Sequence, residues 1–434
     1  MSGESSDLLC SGSSLESLPD NSMDAFSILA TLTSIAAVFS WLNHRFIRLP
    51  NTIGLMVLSL VFSLALVILS KTFSVAVDPF REMLTEIDFN RTLLNGVLGA
   101  MLFAGALHID IDDLLDRKYL IALLATTGVV ISTAVVGFAS WWMLHGLGFS
   151  VDLINCFIFG ALISPTDPIA VGAILRKAGI PKSLETKISG ESLFNDGISV
   201  VVFLTLLEAS GGHYVSAGGI VRLLAVEVVG DLAFGAALGW FVYLMLKSID
   251  SYQVEILLTL AIVTGGYSLA QRLHVSGPIA MVVAGLLIGN RGRSLAMSDQ
   301  TRERLDAFWE LVDEFLNAVL FVTIGAEVIV ITYTGDYFLA GVIAIPLVLA
   351  ARWISVSIPV LALRKRRTFS RHVIKILTWS GLRGGISVAL ALSLPKGPER
   401  TLFVAMTYVV VVFSIVVQGL TVGRFVKRLR EKYS

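Results

Sequence analysis

Long apolar stretches separated by short polar segments run along almost the whole chain. Most of these stretches reach the roughly 20 residues that a helix needs to cross a bilayer. About 13 of them lie near residues 24–43, 51–70, 91–108, 119–146, 152–175, 191–209, 219–247, 252–271, 276–290, 308–332, 336–362, 372–394 and 401–423. The pattern therefore predicts an all-α integral membrane protein with about 13 transmembrane helices.

Composition agrees with a protein whose main partner is the lipid bilayer. The 434 residues are 55% hydrophobic and 15% charged, and the mean hydropathy is +0.80, whereas soluble domains carry about 25% charged residues. Residues 1–22 are serine-rich and acidic without Lys or Arg, which predicts a disordered tail and not a signal peptide. Residues 426–434 are expected to form a short cytoplasmic tail.

The basic residues predict the orientation. If the N-terminus lies outside, 24 of the 33 Lys and Arg residues fall on the inner side, as the positive-inside rule requires. We therefore expect a multi-pass protein of the cell (inner) membrane with a cytoplasmic C-terminus. Two arginines, Arg352 and Arg383, lie inside predicted spans. Arg352 could snorkel, cap a partner or serve the function.

Two halves of the sequence resemble each other. Residues 49–60 align with 275–286, and residues 164–171 align with 380–387. If six spans repeat after an intervening seventh, the two copies enter the membrane from opposite sides. The sequence thus predicts inverted six-helix repeats, which are typical of secondary transporters.

The fifth predicted span contains the sequence SPTDP, in which Pro165 and Pro168 flank Thr166 and Asp167. Two prolines this close should interrupt the helix. The freed carbonyl oxygens, the Thr166 hydroxyl and the Asp167 carboxylate are hard ligands that suit an alkali cation. The alternative is a simple proline kink in which Asp167 accepts hydrogen bonds from the freed amides.

The aligned position in the twelfth span carries GLRGG. Gly384 and Gly385 follow Arg383 there, so we expect a second helix break that crosses the first. A buried arginine also needs an anion, and the sixth span is the expected source.

That sixth span opens with GESLFNDG at residues 190–197. A carboxylate at mid-membrane costs about 2.5–3.5 kcal/mol on insertion scales, so these acids need a function or a partner. Glu191 and Asn195 share one helix face, and Ser192 and Asp196 share the next. We therefore expect Glu191 to pair with Arg383, Asn195 to hold unwound backbone, and Asp196 to be the working acid.

Together, SPTDP, GESLFNDG and GLRGGIS resemble the motifs of the cation/proton antiporter superfamily, and of its NhaP-type bacterial sodium/proton antiporters in particular. The resemblance implies a homodimer whose ion-transport core moves like an elevator. It implies a dimer domain from residues 23–110 and from 211–332, a segment that also includes a linker span, and a core from 111–210 and 333–425. It also implies a sodium ion held by Asp167, Ser192, Asp196 and Thr166, with Glu191 and Arg383 as a structural pair.

The Asn195-Asp196 pair resembles the electroneutral branch of the superfamily, because an amide cannot titrate. Several relatives carry an acid in the third span where this chain has Ala104, which puts one further ligand in doubt. Asp313 and Glu314 are expected to line a cytoplasmic funnel.

The expected activity is exchange of sodium or lithium for protons at one shared carboxylate. Burial disfavours the charged form of Asp196, whereas Arg383 and a bound cation favour it, so proton and cation compete for it. Potassium/proton exchange is the alternative. An enzyme or a channel is a distant third. No HExxH motif or nucleophile with a nearby base favours an enzyme, and a channel would not need a titratable acid and a paired arginine at the helix breaks. We expect no cofactor beyond the transported ions and no nucleic-acid partner.

Overall fold

The computed structural model describes residues 25–73, 97–115, 118–167, 182–211, 217–273, 275–326, 335–364 and 372–431. All regular elements in these ranges are helices. They are α1 (Ala25–Leu42), α2 (Asn51–Phe73), α3 (Leu98–Leu107), α4 (Ile111–Leu115), α5 (Lys118–Ala125), α6 (Thr127–Gly146), α7 (Leu153–Leu162), α8 (Lys182–Ser210), α9 (Ala217–Leu246), α10 (Tyr252–Ala261), α11 (Tyr267–Arg272), α12 (Gly277–Leu287), α13 (Arg293–Leu295), α14 (Asp299–Ala326), α15 (Gly335–Leu363), α16 (Val373–Trp379), α17 (Gly385–Leu392), α18 (Pro398–Phe413) and α19 (Gly419–Glu431).

These helices confirm the predicted all-α membrane architecture. Within the described residues, seven helical segments are long and apolar enough to cross a bilayer, and shorter apolar helices accompany them. Every predicted span contains at least one described helix, while the total of 13 crossings stays a prediction. Large apolar side chains such as Trp142, Leu257 and Ile68 are exposed, as expected on a surface that faces lipid.

Within the described part of the chain, four complete π-helical turns join consecutive helical segments or extend them. They comprise Asn43–Ile47, Ile262–Gly266, Ile288–Gly292 and Ser414–Gln418. Such turns widen the helix locally and leave main-chain carbonyls with altered partners. The turn at Ser414–Gln418 lies behind the second helix break, where the Ser414 hydroxyl accepts from the Arg383 N–H at 2.8 Å.

Both predicted helix breaks coincide with non-helical chain in the described residues. Helix α7 ends at Leu162 and the chain is non-helical from Ser164 to Asp167. Helix α16 ends at Trp379, and α17 begins only at Gly385. The breaks meet directly, because the Asp167 N–H donates to the Leu382 carbonyl at 2.8 Å.

Equivalent contacts in the two halves agree with the predicted internal repeat. Ile53 in α2 packs against Gly419, and its counterpart Ile279 in α12 packs against Gly197 of α8. Both isoleucines are buried. At the level of helices, α2 packs along α14 in the same way that α12 packs along α3.

The predicted tail at residues 1–22 lies outside the described residues. The predicted tail at residues 426–434 begins as a continuation of α19, which runs to Glu431.

Candidate functional site

The first helix break is held to α8 by a pair of hydroxyl groups. Thr166 Oγ1 and Ser192 Oγ lie 2.7 Å apart, and the Ser192 hydroxyl also contacts the Thr166 carbonyl oxygen. Both residues are buried. A carbonyl and two hydroxyl oxygens that converge in this way offer hard, neutral ligands to a small cation.

Asn195 fixes the same unwound backbone from one turn further along α8. Its Nδ2 approaches the Ser164 carbonyl at 3.4 Å and Thr166 Oγ1 at 3.3 Å. Its Oδ1 accepts from the Ser199 hydroxyl at 2.9 Å. Both ends of the amide therefore make hydrogen bonds, and those of Nδ2 hold the unwound backbone in place, as the helical phase of α8 predicted.

Asp196 and Asp167 line one cavity. Asp196 is 3% exposed, and within the described residues its Oδ1 has no hydrogen-bond partner. A buried carboxylate oxygen without a donor is costly unless a proton, a water or a cation occupies it. The cavity has a volume of about 60 Å³, which is enough for a few water molecules.

The cavity walls differ sharply in polarity. The breaks and α8 supply its polar side, whereas α3 and α14 supply a wall that is mainly apolar. The lining consists of Leu98, Met101, Leu102, Gly105, Pro165, Thr166, Asp167, Leu193, Asp196, Asn317, Leu320, Gly384, Gly385 and Ile386.

Arg383, which lies in the second break, donates hydrogen bonds to carbonyl oxygens of the first break. Its Nη1 donates to the Pro165 carbonyl at 2.9 Å and also contacts the Ser164 carbonyl. These carbonyls lost their helical partners when α7 ended, so the buried guanidinium replaces the missing N–H donors. Arg383 thereby fixes the backbone that presents Thr166.

The sequence predicted that Glu191 pairs with Arg383. This prediction is wrong, because Glu191 pairs with Arg352 instead. Arg352 of α15 donates to Glu191 through Nη1 at 2.6 Å and Nη2 at 2.8 Å. Its Nη2 also reaches the Leu377 carbonyl at 3.3 Å, and its side chain runs against Gly381. Helical phase correctly separated Glu191 from the face of Asp196, but phase cannot choose between arginines that come from two other helices.

Arg352 is the site residue that sequence reasoning undervalued. It was one of the two basic residues left over once the predicted inner and outer loops had been assigned, and that was the available signal. Its bidentate pair with Glu191 is almost fully buried. The pair and the bond to Leu377 tie α8, α15 and α16 together.

The predicted break residues fall where the two interrupted helices meet, except that Pro168 lies outside the described residues. Pro165, Gly384 and Gly385 all line the cavity. A methyl group added at Gly384 would overlap the Asp167 carboxylate, and one added at Gly385 would overlap Leu320. The two glycines therefore allow close approach of backbone to the candidate ligand and to the opposite wall.

Ala104 does not face the cavity. It is buried in an apolar cluster with Phe103, Leu107 and Trp309, and its neighbour Gly105 lines the cavity instead. No oxygen ligand from the described part of α3 therefore reaches this space.

Two interrupted helices that cross beside buried carboxylates, within a repeated all-helical fold, define a secondary membrane transporter. The chain belongs to the sodium/hydrogen exchanger family. The sequence profile of this family, described as "Sodium/hydrogen exchanger, transmembrane", matches residues 32–428. The predicted antiporter class is thus confirmed.

Similar proteins agree with this assignment. The chain is 50% identical over 410 residues to the Na(+)/H(+) antiporter NhaP of Pseudomonas aeruginosa, covering 93% of this chain and 96% of that protein. It is 32% identical to the Na(+)/H(+) antiporter NhaH of Halobacillus dabanensis, with the same coverage. Its fold resembles the sodium proton antiporter MjNhaP1 of Methanocaldococcus jannaschii with a TM-score of 0.71 at 17% identity, over 92% of this chain and 97% of that one.

Proposed function

We propose that this protein exchanges sodium or lithium for protons across the cell membrane, and that Asp196 is the carboxylate that both ions use. The supporting observation is the Asp196 carboxylate itself, which is buried, faces a cavity and has one oxygen without a partner among the described residues. Such a group is stabilised by either a proton or a cation. Exchange follows because the two cannot bind together.

The proposed cation ligands are the carboxylates of Asp196 and Asp167, the Ser192 hydroxyl and oxygen atoms of Thr166. All four residues are supplied by the first break and the adjoining turn of α8. Oxygen donors of this kind bind hard monovalent cations well and soft metals poorly. Glu191, Asn195 and Arg383 are proposed to hold this arrangement and not to bind the ion.

Electroneutral exchange is supported by the residue that precedes Asp196. Asn195 is an amide that uses both ends in hydrogen bonds, so it cannot carry a second proton through the cycle. If Asp196 alone trades one proton for one cation, no net charge crosses the membrane. The rate should then be insensitive to membrane potential.

Alternating access is proposed to occur as a movement of the core past the dimer domain. The cavity lies between the breaks, which belong to the proposed core, and helices α3 and α14, which belong to the proposed dimer domain. A shift of the core would carry the ligand cluster along this mainly apolar wall. We further propose a homodimer built on residues 23–110 and 211–332, with the N-terminus outside.

The purified protein in liposomes tests this function directly. A pH-sensitive dye inside the vesicles reports proton movement after pulses of sodium, lithium or potassium, with and without an imposed potential. We expect proton counter-flux with sodium and lithium at rates independent of the potential. A response to potassium alone would show that the protein is a potassium/proton exchanger, which is the alternative function. A rate that depends on the potential would exclude the electroneutral cycle.

A further inference from the structure

Asn317 is a polar residue on the otherwise apolar wall that faces the ion site. It lies in α14, is 3% exposed, and lines the cavity together with Asp167 and Asp196. Its neighbours on that wall include Leu98, Met101 and Leu320. An amide in this setting needs partners for both of its ends.

The hydrogen bond of Asn317 determines which end faces away from the helix. Its Nδ2 donates to the Asp313 carbonyl at 2.8 Å. A main-chain carbonyl only accepts, so the nitrogen must be the end that turns back to the helix. The remaining Oδ1 is therefore the end left to face the cavity that Asn317 lines, and this oxygen can accept a hydrogen bond or bind a cation.

We propose that Asn317 Oδ1 contacts the transported cation from the side opposite Asp196, and that Asn317 is a specificity-determining residue of the exchanger. This inference rests on the proposed function. A neutral amide oxygen is a hard ligand that adds no charge, so the electroneutral count is unchanged. Because the amide belongs to the wall and not to the breaks, the contact exists only on the side of the cycle in which the site faces α14.

The helix also offers an approach to this oxygen. Glu310, Asp313 and Asn317 follow one another at i, i+3 and i+7, which places them on one face of α14. Glu310 is exposed, Asp313 is half-buried and Asn317 is buried, over a rise of about 10 Å. One Asp313 carboxylate oxygen has no partner among the described residues. On this proposal, a cation would meet the two acids before it meets the amide.

Replacement of the amide by an apolar side chain of similar size tests the contact. The variant Asn317→Leu is compared with the parent in proteoliposomes by measuring KM and kcat for sodium, lithium and potassium. Since contacts to a charged partner are worth more than neutral hydrogen bonds, we expect about a tenfold rise in the KM for sodium and a changed preference among the three cations. An unchanged KM, within about twofold for each cation, overturns the proposal.

The chain offers a matched control on the same helix. Thr323 is also buried in α14 and also donates to the carbonyl four residues earlier, at 2.7 Å from Val319, but it does not line the cavity. The variant Thr323→Val should keep the parent KM values. If Thr323→Val raises KM as much as Asn317→Leu, the effect belongs to the helix and the proposal fails.

A second variant keeps the proposal testable if Asn317→Leu does not assemble. Asn317→Ala removes the same oxygen with a smaller side chain that cannot overlap the facing wall, so we expect the same rise in the KM for sodium. A KM within about twofold of the parent value overturns the proposal. A parent protein that exchanges no ions would overturn the proposed function itself, whereas an active parent with unaltered variants overturns only the role of Asn317.

Discussion

At the scale of single residues, the site contains two kinds of carboxylate. One is held in a structural ion pair, and the other is free to bind an exchanged proton or cation. Glu191 meets Arg352 in a bidentate pair with both side chains buried. Asp196, one turn further along the same helix, keeps an oxygen without a partner among the described residues. The first carboxylate has its charge compensated by the protein, while the second depends on what enters the cavity.

The Glu191–Arg352 pair gives a stability prediction. Arg352→Met leaves a buried carboxylate without its partner, which typically costs about 3–5 kcal/mol. We expect a markedly lower unfolding temperature in detergent, and the double variant Glu191→Gln, Arg352→Met should recover part of the loss. Arg302→Met serves as control, because Arg302 pairs with the exposed Asp299 and such pairs contribute about 0–1 kcal/mol. Equal unfolding temperatures for Arg352→Met and parent would contradict the assignment.

Sequence reasoning went furthest where local pattern determines local structure. Pro165 and the glycines after Arg383 marked the breaks, and helical phase placed Asn195 against unwound backbone and Ser192 against Thr166. The partner of Glu191 was missed because it depends on how α15 packs beside α8. Asn317 was missed for the same reason, since nothing in its own neighbourhood shows that α14 faces the breaks.

At the scale of elements, the crossing of the two interrupted helices depends on a main-chain hydrogen bond and on a glycine that allows close packing. The Asp167 N–H bonds to the Leu382 carbonyl, and the Asp167 carboxylate packs directly on Gly384. The same crossing brings Arg383 to the carbonyls of the first break. The position of the proposed ligand Asp167 is thus determined by the second break as much as by its own helix.

This crossing predicts a specific effect at Gly384. The variant Gly384→Ala introduces a methyl group that overlaps the Asp167 carboxylate, so the carboxylate must move and sodium binding should weaken. We expect a severalfold higher KM for sodium in proteoliposomes, on the order of the loss of one charged contact. The matched variant Gly397→Ala has open space around its new methyl group and should behave like the parent. Parent-like KM values for Gly384→Ala would show that Asp167 is not positioned by the second break.

At the scale of the whole molecule, the internal repeat provides two similar halves whose breaks meet at the middle. The repeat could be predicted because Ile53 and Ile279 lie in matching sequence, and each packs on a glycine in the other half. The division into dimer domain and core stays a prediction. The cavity lies between the breaks, which belong to the proposed core, and α14, which belongs to the proposed dimer domain. Movement of one domain past the other would therefore occur along this cavity.

Competition between proton and sodium gives a pH prediction for the complete cycle. Sodium binds the deprotonated carboxylate, so lowering the pH removes the binding-competent form and raises the apparent KM for sodium, by up to about tenfold per pH unit. Raising the pH restores affinity until the carboxylate is fully deprotonated. The maximal rate at saturating sodium should stay nearly constant over the acidic limb. A KM that is independent of pH, with a falling maximal rate, would contradict a shared site.

The most direct test of the central claim is cation-driven proton flux through the variant Asp196→Asn in proteoliposomes. Asp231→Asn is the control, because Asp231 is another buried aspartate, which accepts from the Ser276 N–H at 2.8 Å outside the site. We expect no exchange from correctly assembled Asp196→Asn and clear exchange from Asp231→Asn. Sodium-driven proton flux at the parent rate through Asp196→Asn would contradict the account.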